Sequence, residues 1–305
     1  MQIETVIQHS SGWIWVDVID PSKPDLEKLA QDYGLSFEQV IDCMDPEHLP
    51  KIEQSDKSVF MILRAYDDSC GNQADTIQEL TRKIVIFVTD KVLLTIHRTE
   101  QNYILKLKNK WKAMALNRLR VTSIVTDFLF QILASFDRPI DQAINQLELL
   151  EMGAFGAHDS KPFEIEQAYY VKRKAFVFKR IIRGTLDIVS KLNVQPLVLP
   201  PAKIQHLRED ADSSFFYTDE LLENSNSLIN LHLSLASQRT NEVVRYLTVF
   251  SVSLLPLNVI TGIYGMNFEH MPELKSPWGY YAVLLIMLGV VSGIFYYFKR
   301  KGWLK

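Results

Sequence analysis

The sequence predicts an α/β cytoplasmic domain with a long stalk helix, followed by two C-terminal transmembrane helices. Three observations lead to this fold class. Residues 1–98 alternate strand-like runs of β-branched and aromatic residues with short amphipathic segments. The segment Ala202–Leu255 contains neither Gly nor Pro. Two stretches near the C-terminus, Tyr246–Phe268 and Ser276–Phe298, contain no charged side chain.

Residues 1–98 are predicted to form the cytoplasmic α/β region. Four apolar segments have the composition of strands, and the last two, joined by Asp90-Lys91, form a predicted hairpin. Two short helices are also predicted, with Ser22 and Ser36 placed to cap their first turns. The predicted strands cover residues 13–18, 59–66, 82–89 and 92–97, and the predicted helices cover Pro24–Tyr33 and Ser36–Cys43.

Residues 99–201 are predicted to form a cytoplasmic helical region, because apolar residues recur there at three- and four-residue spacing. Breaks are expected at Arg138-Pro139, within residues 153–162 and at Gln195–Pro201, where Gly and Pro interrupt the pattern. The predicted helices cover residues 101–117, 119–153 and 163–193.

Residues 202–245 are predicted to be a stalk helix that continues into the membrane. Without a helix breaker, Ala202–Leu255 would extend about 80 Å at roughly 1.5 Å per residue. The beginning of this segment is mostly polar, and the apolar stretch follows it without interruption. Because a helix of this length would not stand alone, we expect it to pack on other helices or on copies of itself.

The two charge-free stretches are predicted to be transmembrane helices over residues 246–264 and 278–298. A bilayer core of about 30 Å needs roughly 20 apolar residues. Buried helices of a soluble core are the alternative, but aromatic side chains at the ends and a basic cluster after the second stretch favour membrane spans. The lysines and arginine of the tail, residues 299–305, assign both termini to the cytoplasmic side of the plasma membrane. Residues 265–277 then form a short external loop.

The charge distribution and the remaining motifs exclude several other functions. Before Tyr246 the chain carries 28 Lys and Arg against 34 Asp and Glu, and this acidic balance argues against nucleic-acid binding. The two cysteines, Cys43 and Cys70, have no metal-binding spacing and suit a reducing compartment. No nucleophile–base pair, phosphate-binding loop or metalloprotease spacing occurs, so neither an enzyme nor a cofactor is predicted.

Polar residues of the first span are predicted to favour one side of the helix. In lipid, such side chains must face protein or water. Helix packing through hydrogen bonds and a water-filled pore both explain the pattern, and the periodicity leaves both open. No Asp, Glu or His lies in the span, which argues against a carboxylate relay. On a helical wheel counted from Asn241, we expect Thr248 and Asn258 on the same face, with Val244, Leu255 and Gly262 on that side and Ser251 at its edge.

A turn directly follows the first span, at Tyr264-Gly265-Met266-Asn267. Gly ends helices readily and Asn tolerates a tight backbone. With a proline, Pro256, inside the preceding span, this turn resembles the signature of the CorA family of divalent-cation channels, which is Gly-Met-Asn after the first of two C-terminal spans. The matching segments are Thr240–Val243, Leu255–Leu257, Gly262–Asn267, Met271–Leu274 and Trp278–Tyr280, followed by the basic tail.

The resemblance implies a homopentameric channel that lies in membrane lipid and carries divalent cations. Its first spans would line the pore, and rings of Gly265, Met266 and Asn267 would form the selectivity filter at the outer mouth. A ring of amides suits hydrated Mg²⁺, which gives up its water reluctantly and prefers octahedral oxygen ligands. The implied pore-lining residues are Asn241, Val244, Leu247, Thr248, Ser251, Leu255, Asn258 and Gly262, of which Val244, Leu247 and Leu255 would narrow the path.

Two positions distinguish this chain within the resemblance. Family members often have threonine where this chain has Asn258, which predicts a narrower or more strongly coordinating middle of the pore. A sister group that moves Zn²⁺ shows Gly-Ile-Asn in the turn, so Met266 favours Mg²⁺.

The acidic residues Glu209, Asp210 and Asp212 have two interpretations. They form either a solvated helix face or, as the family implies, a cytoplasmic regulatory Mg²⁺ site between neighbouring subunits. The predicted function is passive uptake of hydrated Mg²⁺, with Co²⁺ and Ni²⁺ as further candidates, driven by the membrane potential and gated by cytoplasmic Mg²⁺. A Zn²⁺ transporter of the sister group is one alternative, and a non-conducting membrane-anchored adaptor is another.

Overall fold

The structure is a computed structural model that describes residues 1–55, 57–115, 119–155, 163–192, 196–266, 271 and 276–303. The chain divides into two compact units, Met1–Ile229 and Asn230–Lys305. The first unit contains the α/β region and most of the helices, and the second contains the two apolar helices.

A mixed sheet forms the centre of the first unit. Its six strands among the described residues have the order β1-β2-β6-β5-β4-β3, and every neighbouring pair is antiparallel except β2 and β6. The predicted strands at 13–18, 59–66, 82–89 and 92–97 are confirmed as β2, β4, β5 and β6. The strands are β1 (Gln2–Gln8), β2 (Ile14–Ile19), β3 (Lys51–Ser55), β4 (Ser58–Tyr66), β5 (Thr81–Thr89) and β6 (Val92–His97).

The helices of both units differ from the sequence prediction mainly at their ends. The predicted helix over 119–153 is divided into two, and the break expected at Arg138-Pro139 is wrong, because the chain leaves the helix at Ser135 and Phe136. Pro139 lies in the first turn of the next helix, where its missing N–H removes no intrahelical bond. The helices are α1 (Lys23–Tyr33), α2 (Phe37–Met44), α3 (Ile77–Leu80), α4 (Asn102–Lys112), α5 (Val121–Ala134), α6 (Asp137–Ala154), α7 (Ile165–Lys191), α8 (Pro201–Tyr264) and α9 (Gly279–Arg300).

The sheet is buried on both faces because helices cover each of them. Helices α1 and α2 pack on one face, where Phe60, Ile62 and Val85 are buried. Helices α4, α5 and α7 and the first part of α8 contribute to the core on the other face, around Trp15 and Met61. The strands buried on both faces therefore read as continuous apolar runs rather than alternating ones.

Helix α8 is continuous from Pro201 to Tyr264, as its lack of breakers predicts, and Pro256 lies inside it. Within the first unit it buries one face at three- and four-residue spacing, which is the pattern of an amphipathic helix. The most buried residues of that face are Leu207, Ala211, Thr218, Leu221 and Leu228.

Among the described residues, two helices are long and apolar enough to cross a membrane, and their apolar parts lie in the second unit. Only 11% and 6% of the residues in the apolar windows of α8 and α9 are buried, whereas core helices of soluble proteins are mostly buried. The Arg245 guanidinium lies 5.8 Å from the centre of the Trp303 ring. The chain that follows α9 thus returns to the level where the apolar part of α8 begins, and the two helices form an antiparallel hairpin.

Candidate functional site

The last part of α8 carries a line of residues that recur alternately every three and four positions. We call this line the α8 seam. At about 100° per residue, Asn258 lies about 100° from Asn241, so the expectation that they share a face of a straight helix is wrong. Asn258 instead continues the line that starts at Val244 and Ser251, as in a heptad pattern. The α8 seam consists of Asn241, Val244, Thr248, Ser251, Leu255, Asn258 and Gly262.

Most residues of the α8 seam are exposed in the single chain. The exposed fractions of Val244 and Leu255 are 54% and 66%, and Asn258 is exposed as well. On the other side of the same helix, Val249 and Ser253 are 3% and 5% exposed. One face of the helix is thus packed within the unit, while the seam residues other than Thr248 stay exposed among the residues that the structure describes. Leu247, which the resemblance also places in the pore, is exposed beside the seam.

Most hydroxyl groups of this part of α8 are satisfied within the helix. Thr248 donates to the Val244 carbonyl at 2.8 Å, and Ser253 donates to the Val249 carbonyl at 2.7 Å. Such bonds let hydroxyl side chains lie in an apolar helix at little cost.

Unlike most of the hydroxyl groups, the two asparagine amides of the seam are not hydrogen-bonded within the helix. Among the described residues, the side chains of Asn241 and Asn258 have no hydrogen-bond partner. Asn258 lies in the apolar part of α8, and an amide at membrane depth needs water or another protein chain, because hydrocarbon cannot satisfy it. Asn241 precedes the apolar part, so this requirement applies to Asn258. The seam is therefore the face of α8 that requires an aqueous path or a second subunit.

The turn after α8 lies directly beyond the end of the seam. Gly265 donates its N–H to the Thr261 carbonyl at 2.9 Å, and Met266 donates to the Ile263 carbonyl at 3.2 Å. A Cβ at Gly265 would lie 3.1 Å from the Thr261 oxygen, so a larger residue would crowd the last turn of the helix. Met266 is half exposed. Asn267, the third residue of the predicted selectivity filter, lies outside the described residues.

The acidic residues near the start of α8 do not converge in one chain. Glu209 accepts a hydrogen bond from the Gln205 amide at 2.7 Å, Asp210 lies 3.1 Å from His206 Nδ1, and Asp212 is exposed. Within the parts of the chain that the structure describes, no group of three or more His, Cys, Asp or Glu side chains could hold a metal ion. The regulatory site between subunits stays a prediction.

Asp210 lies at one cavity with two other carboxylates that the sequence analysis did not indicate. With Asp137 and Asp141 of α6 it lines a cavity of about 430 Å³. Burial and the charges of Asp210 and Asp141 raise the pKa of Asp137 above its ordinary value. The spacing of four residues between Asp137 and Asp141 places both on one face of α6, which is the signal that could have indicated them.

Comparison with known proteins identifies the family. A family model described as CorA-like Mg²⁺ transporter protein matches residues 10–300. The chain belongs to this family. The cobalt/magnesium transport protein CorA of Thermotoga maritima is 28% identical to it, over 99% of this chain and 87% of that protein. The resemblance drawn from the Gly265-Met266-Asn267 turn is thereby confirmed at the level of the family.

Solved structures of other proteins share the fold. The complete structure of the CorA magnesium transporter from Methanocaldococcus jannaschii superposes with a TM-score of 0.75 at 23% identity, covering 96% of this chain and 92% of that one. The ZntB cytoplasmic domain from Vibrio parahaemolyticus gives a TM-score of 0.57 at 13% identity, covering 76% of this chain and 91% of that one. The predicted fold class, an α/β domain with a long helix and two C-terminal apolar helices, is confirmed.

Proposed function

We propose that this chain forms a homopentameric channel through which hydrated Mg²⁺ enters the cell, with Co²⁺ and Ni²⁺ as further substrates. The observation that carries the proposal is the exposed α8 seam, on which Asn258 and the 66% exposed Leu255 lie in the apolar part of the helix. In a ring of five first spans, these seams would face a common axis, and Asn267 would lie at its outer end. The family membership supports transport rather than catalysis.

The chemistry of the seam suits a hydrated divalent cation. Neutral amide oxygens of Asn267, Asn258 and Asn241 can accept hydrogen bonds from the first-shell waters of Mg²⁺, so the ion does not have to lose them. Leu255 and Val244 narrow the path between the amides, and an apolar constriction can close by dewetting. A charge of +2 gains about 4.6 kcal/mol per 100 mV of inside-negative potential, so uptake needs no ATP.

The second unit supports a topology with both termini in the cytoplasm and the protein in the plasma membrane. The contact between Arg245 and Trp303 places Lys299, Arg300 and Lys301 at the same end of the hairpin as Arg245. Basic residues gathered at one end favour the cytoplasmic side. A tag attached after the last residue should be inaccessible from outside intact cells, and labelling of such a tag from outside would reject this orientation.

Ion flux into proteoliposomes tests the conduction proposal. The wild type should form pentamers and admit Mg²⁺ when an inside-negative potential is applied. Asn258→Leu should still assemble but lose at least about tenfold in flux, equivalent to about 1.4 kcal/mol of barrier, because it removes one ring of water-binding amides. Asn258→Thr keeps a polar oxygen and is the matched control that should conduct. Asn267→Ala should lose selectivity or flux for the same reason.

Three outcomes of this experiment would contradict the proposal. Wild-type flux in Asn258→Leu would remove the seam from the pore. Faster flux of Zn²⁺ than of Mg²⁺, dependent on a proton gradient, would favour the sister group of transporters. No flux of either ion through an assembled protein would favour a membrane-anchored adaptor.

Regulation by cytoplasmic Mg²⁺ extends the proposal to Glu209, Asp210 and Asp212. Mg²⁺ between carboxylates of neighbouring subunits would remove their mutual repulsion and favour a closed bundle, provided that it binds the closed state more tightly. Changing the three residues to Gln or Asn should shift the inhibition of flux to higher internal Mg²⁺. An unchanged midpoint and depth of inhibition would assign these residues to a solvated helix face.

A further inference from the structure

A cavity of about 380 Å³ in the first unit has a strongly cationic lining. It lies where β4, β5 and β6 meet the start of α1 and the end of α2. Among the described residues that line it, Asp20 is the one carboxylate, whereas the cationic side chains are Lys23, Arg64, Arg82, Lys83 and Arg98. The proposed transport function uses none of these groups.

Three of the cations come from adjacent strands at the same level of the sheet. Arg64 on β4 and Lys83 on β5 are paired in the register. Ile84 pairs with His97, so Arg98 follows β6 directly beside Lys83. Since alternate residues share a face, Arg64 and Lys83 lie on the face that α1 and α2 cover. Like charges placed opposite each other destabilise a sheet unless something offsets them.

The groups that bind these cations within the chain carry no charge. Arg64 donates from Nη1 to the carbonyls of Pro46 and His48, at 3.0 Å each, and from Nε to Thr81 at 2.8 Å. Lys83 donates to carbonyls at the end of α2, including that of Cys43 at 2.7 Å.

These bonds orient the side chains and cap the C-terminus of α2. Asp45 and Glu47 are near enough to attract the Arg64 charge, but among the described residues no carboxylate forms an ion pair with Arg64, Lys83 or Arg98. Arg98 likewise donates to a carbonyl, that of Met44 at 3.1 Å. Of the cavity cations, Arg82 alone pairs with a carboxylate, that of Asp67 at 2.5 Å, among the described residues.

Arg64 is the most informative member of the lining. Only 2% of it is exposed, and its hydrogen bonds among the described residues, from Nε and Nη1, go to neutral groups. Burying a guanidinium without an ion-pair partner is costly. Burial lowers the pKa of Arg64 to about 10 and that of Lys83 to about 8, because no carboxylate stabilises either charge enough to offset it.

We propose that this cavity binds a phosphate-bearing anion, held by Arg64 and Arg98 and screened by Lys23 and Lys83. The planar guanidinium matches phosphate oxygens in pairs, and charge-assisted hydrogen bonds of this kind are among the strongest. The volume lies within the range of about 300–1,000 Å³ that small-molecule sites occupy. The start of α1, an 11-residue helix, also lines the cavity and adds the positive end of its dipole.

Binding to the full-length protein in detergent tests the site. Pyrophosphate, inorganic phosphate and ATP are titrated calorimetrically in metal-free buffer, with sodium chloride at matched ionic strength as the reference. Arg98→Gln and Lys23→Gln change exposed side chains and should leave the fold intact, but each should weaken binding about tenfold or more. Lys28→Gln, on the outer surface of the same helix α1, is the matched control and should bind as the wild type does.

The order of the three affinities identifies the class of anion, and two other outcomes would contradict the proposal. Tighter binding of ATP than of pyrophosphate assigns a nucleotide, and the reverse order assigns an inorganic anion. A bound anion should also slow amine acylation of Lys83 at alkaline pH, because it favours the charged ammonium, while Lys28 reacts unchanged. No binding of any of the three anions, or equal losses in Lys28→Gln and Arg98→Gln, would overturn the proposal.

Discussion

The replacement Leu255→Ser tests whether the α8 seam forms the closed gate of the proposed pentamer. Leu255 is the one large aliphatic residue of the seam between Ser251 and Asn258, and it is 66% exposed in the single chain. If five copies meet on the axis when the channel closes, this exposed surface is what they bury. Serine removes that apolar surface and keeps the constriction hydrated. The variant should therefore conduct under conditions that close the wild type.

The size of the effect follows from the exposed area. Full burial of a leucine side chain stabilises the packed state by about 1.5–3 kcal/mol. Because about two thirds of Leu255 is exposed in the single chain, burying that surface would contribute about 1–2 kcal/mol per subunit. Each leucine meets its neighbours on part of its surface, and we therefore halve this value, which leaves about 3–5 kcal/mol for five subunits. Since about 1.4 kcal/mol is a factor of ten, the ratio of open to closed channels should rise by a factor of roughly 10² to 4 × 10³.

Flux into proteoliposomes that contain saturating internal Mg²⁺ measures this shift. Leu255→Ser should raise the residual flux at least about tenfold even where the open fraction saturates. Leu254→Ser is the matched control, because it makes the same change about 100° round the helix, at a residue that is 39% exposed. Equal effects of the two variants, or unchanged residual flux in Leu255→Ser, would refute the assignment of the gate.

Three further predictions concern the first unit. Asp17→Asn should destabilise the protein by about 1.5–3 kcal/mol in thermal unfolding, because the buried Lys108 loses its nearest carboxylate and keeps only Glu4 and Glu100, at 3.3 and 3.5 Å. Although burial opposes it, hydrogen bonds and nearby positive charges lower the pKa of Asp17, so the wild type loses this stability as the pH falls below about 4 and the variant does not. Gly184→Val should lower the unfolding midpoint, corresponding to about 1–3 kcal/mol, because even a Cβ would lie 3.1 Å from Pro50. The pKa of Lys83, lowered to about 8 by burial, predicts that stability rises with pH between about 8 and 10.5, where the unfolded chain binds the extra proton, and Lys83→Met should abolish that rise.

The strands that the sequence predicted are those with continuous apolar runs. β4 and β5 are buried on both faces and each contains an uninterrupted apolar run, 59–63 and 84–88, which identifies them. β1 and β3 were missed because they lie at the two edges of the sheet, where most residues are polar and at least partly exposed. Their strand conformation comes from pairing with a neighbouring strand, which local composition does not encode.

The candidate sites also divide into those that a local sequence pattern indicates and those that depend on the packing of separate elements. The α8 seam could be predicted because its residues lie on one helix, and only the position of Asn258 on the straight helix was wrong. The shared cavity of Asp210 and Asp137 and the pairing of Arg64 with Lys83 depend on how separate elements pack. Arg64 and Lys83 become neighbours through the register of β4 and β5, which a sequence pattern does not specify.

The neutrality of the α8 seam is consistent with conduction rather than storage of ions. A divalent cation that moves through a pore must bind strongly enough to enter and weakly enough to leave. The membrane potential supplies about 4.6 kcal/mol per 100 mV to such an ion. A site whose binding free energy is much more favourable than this would retain the ion instead of releasing it. A ring of five carboxylates would attract Mg²⁺ far more strongly than a ring of five amides. Asn241 and Asn258 therefore offer oxygen ligands without net charge, whereas Asp210 and Asp137 line a cavity of the first unit, where tight binding would serve regulation instead of transport.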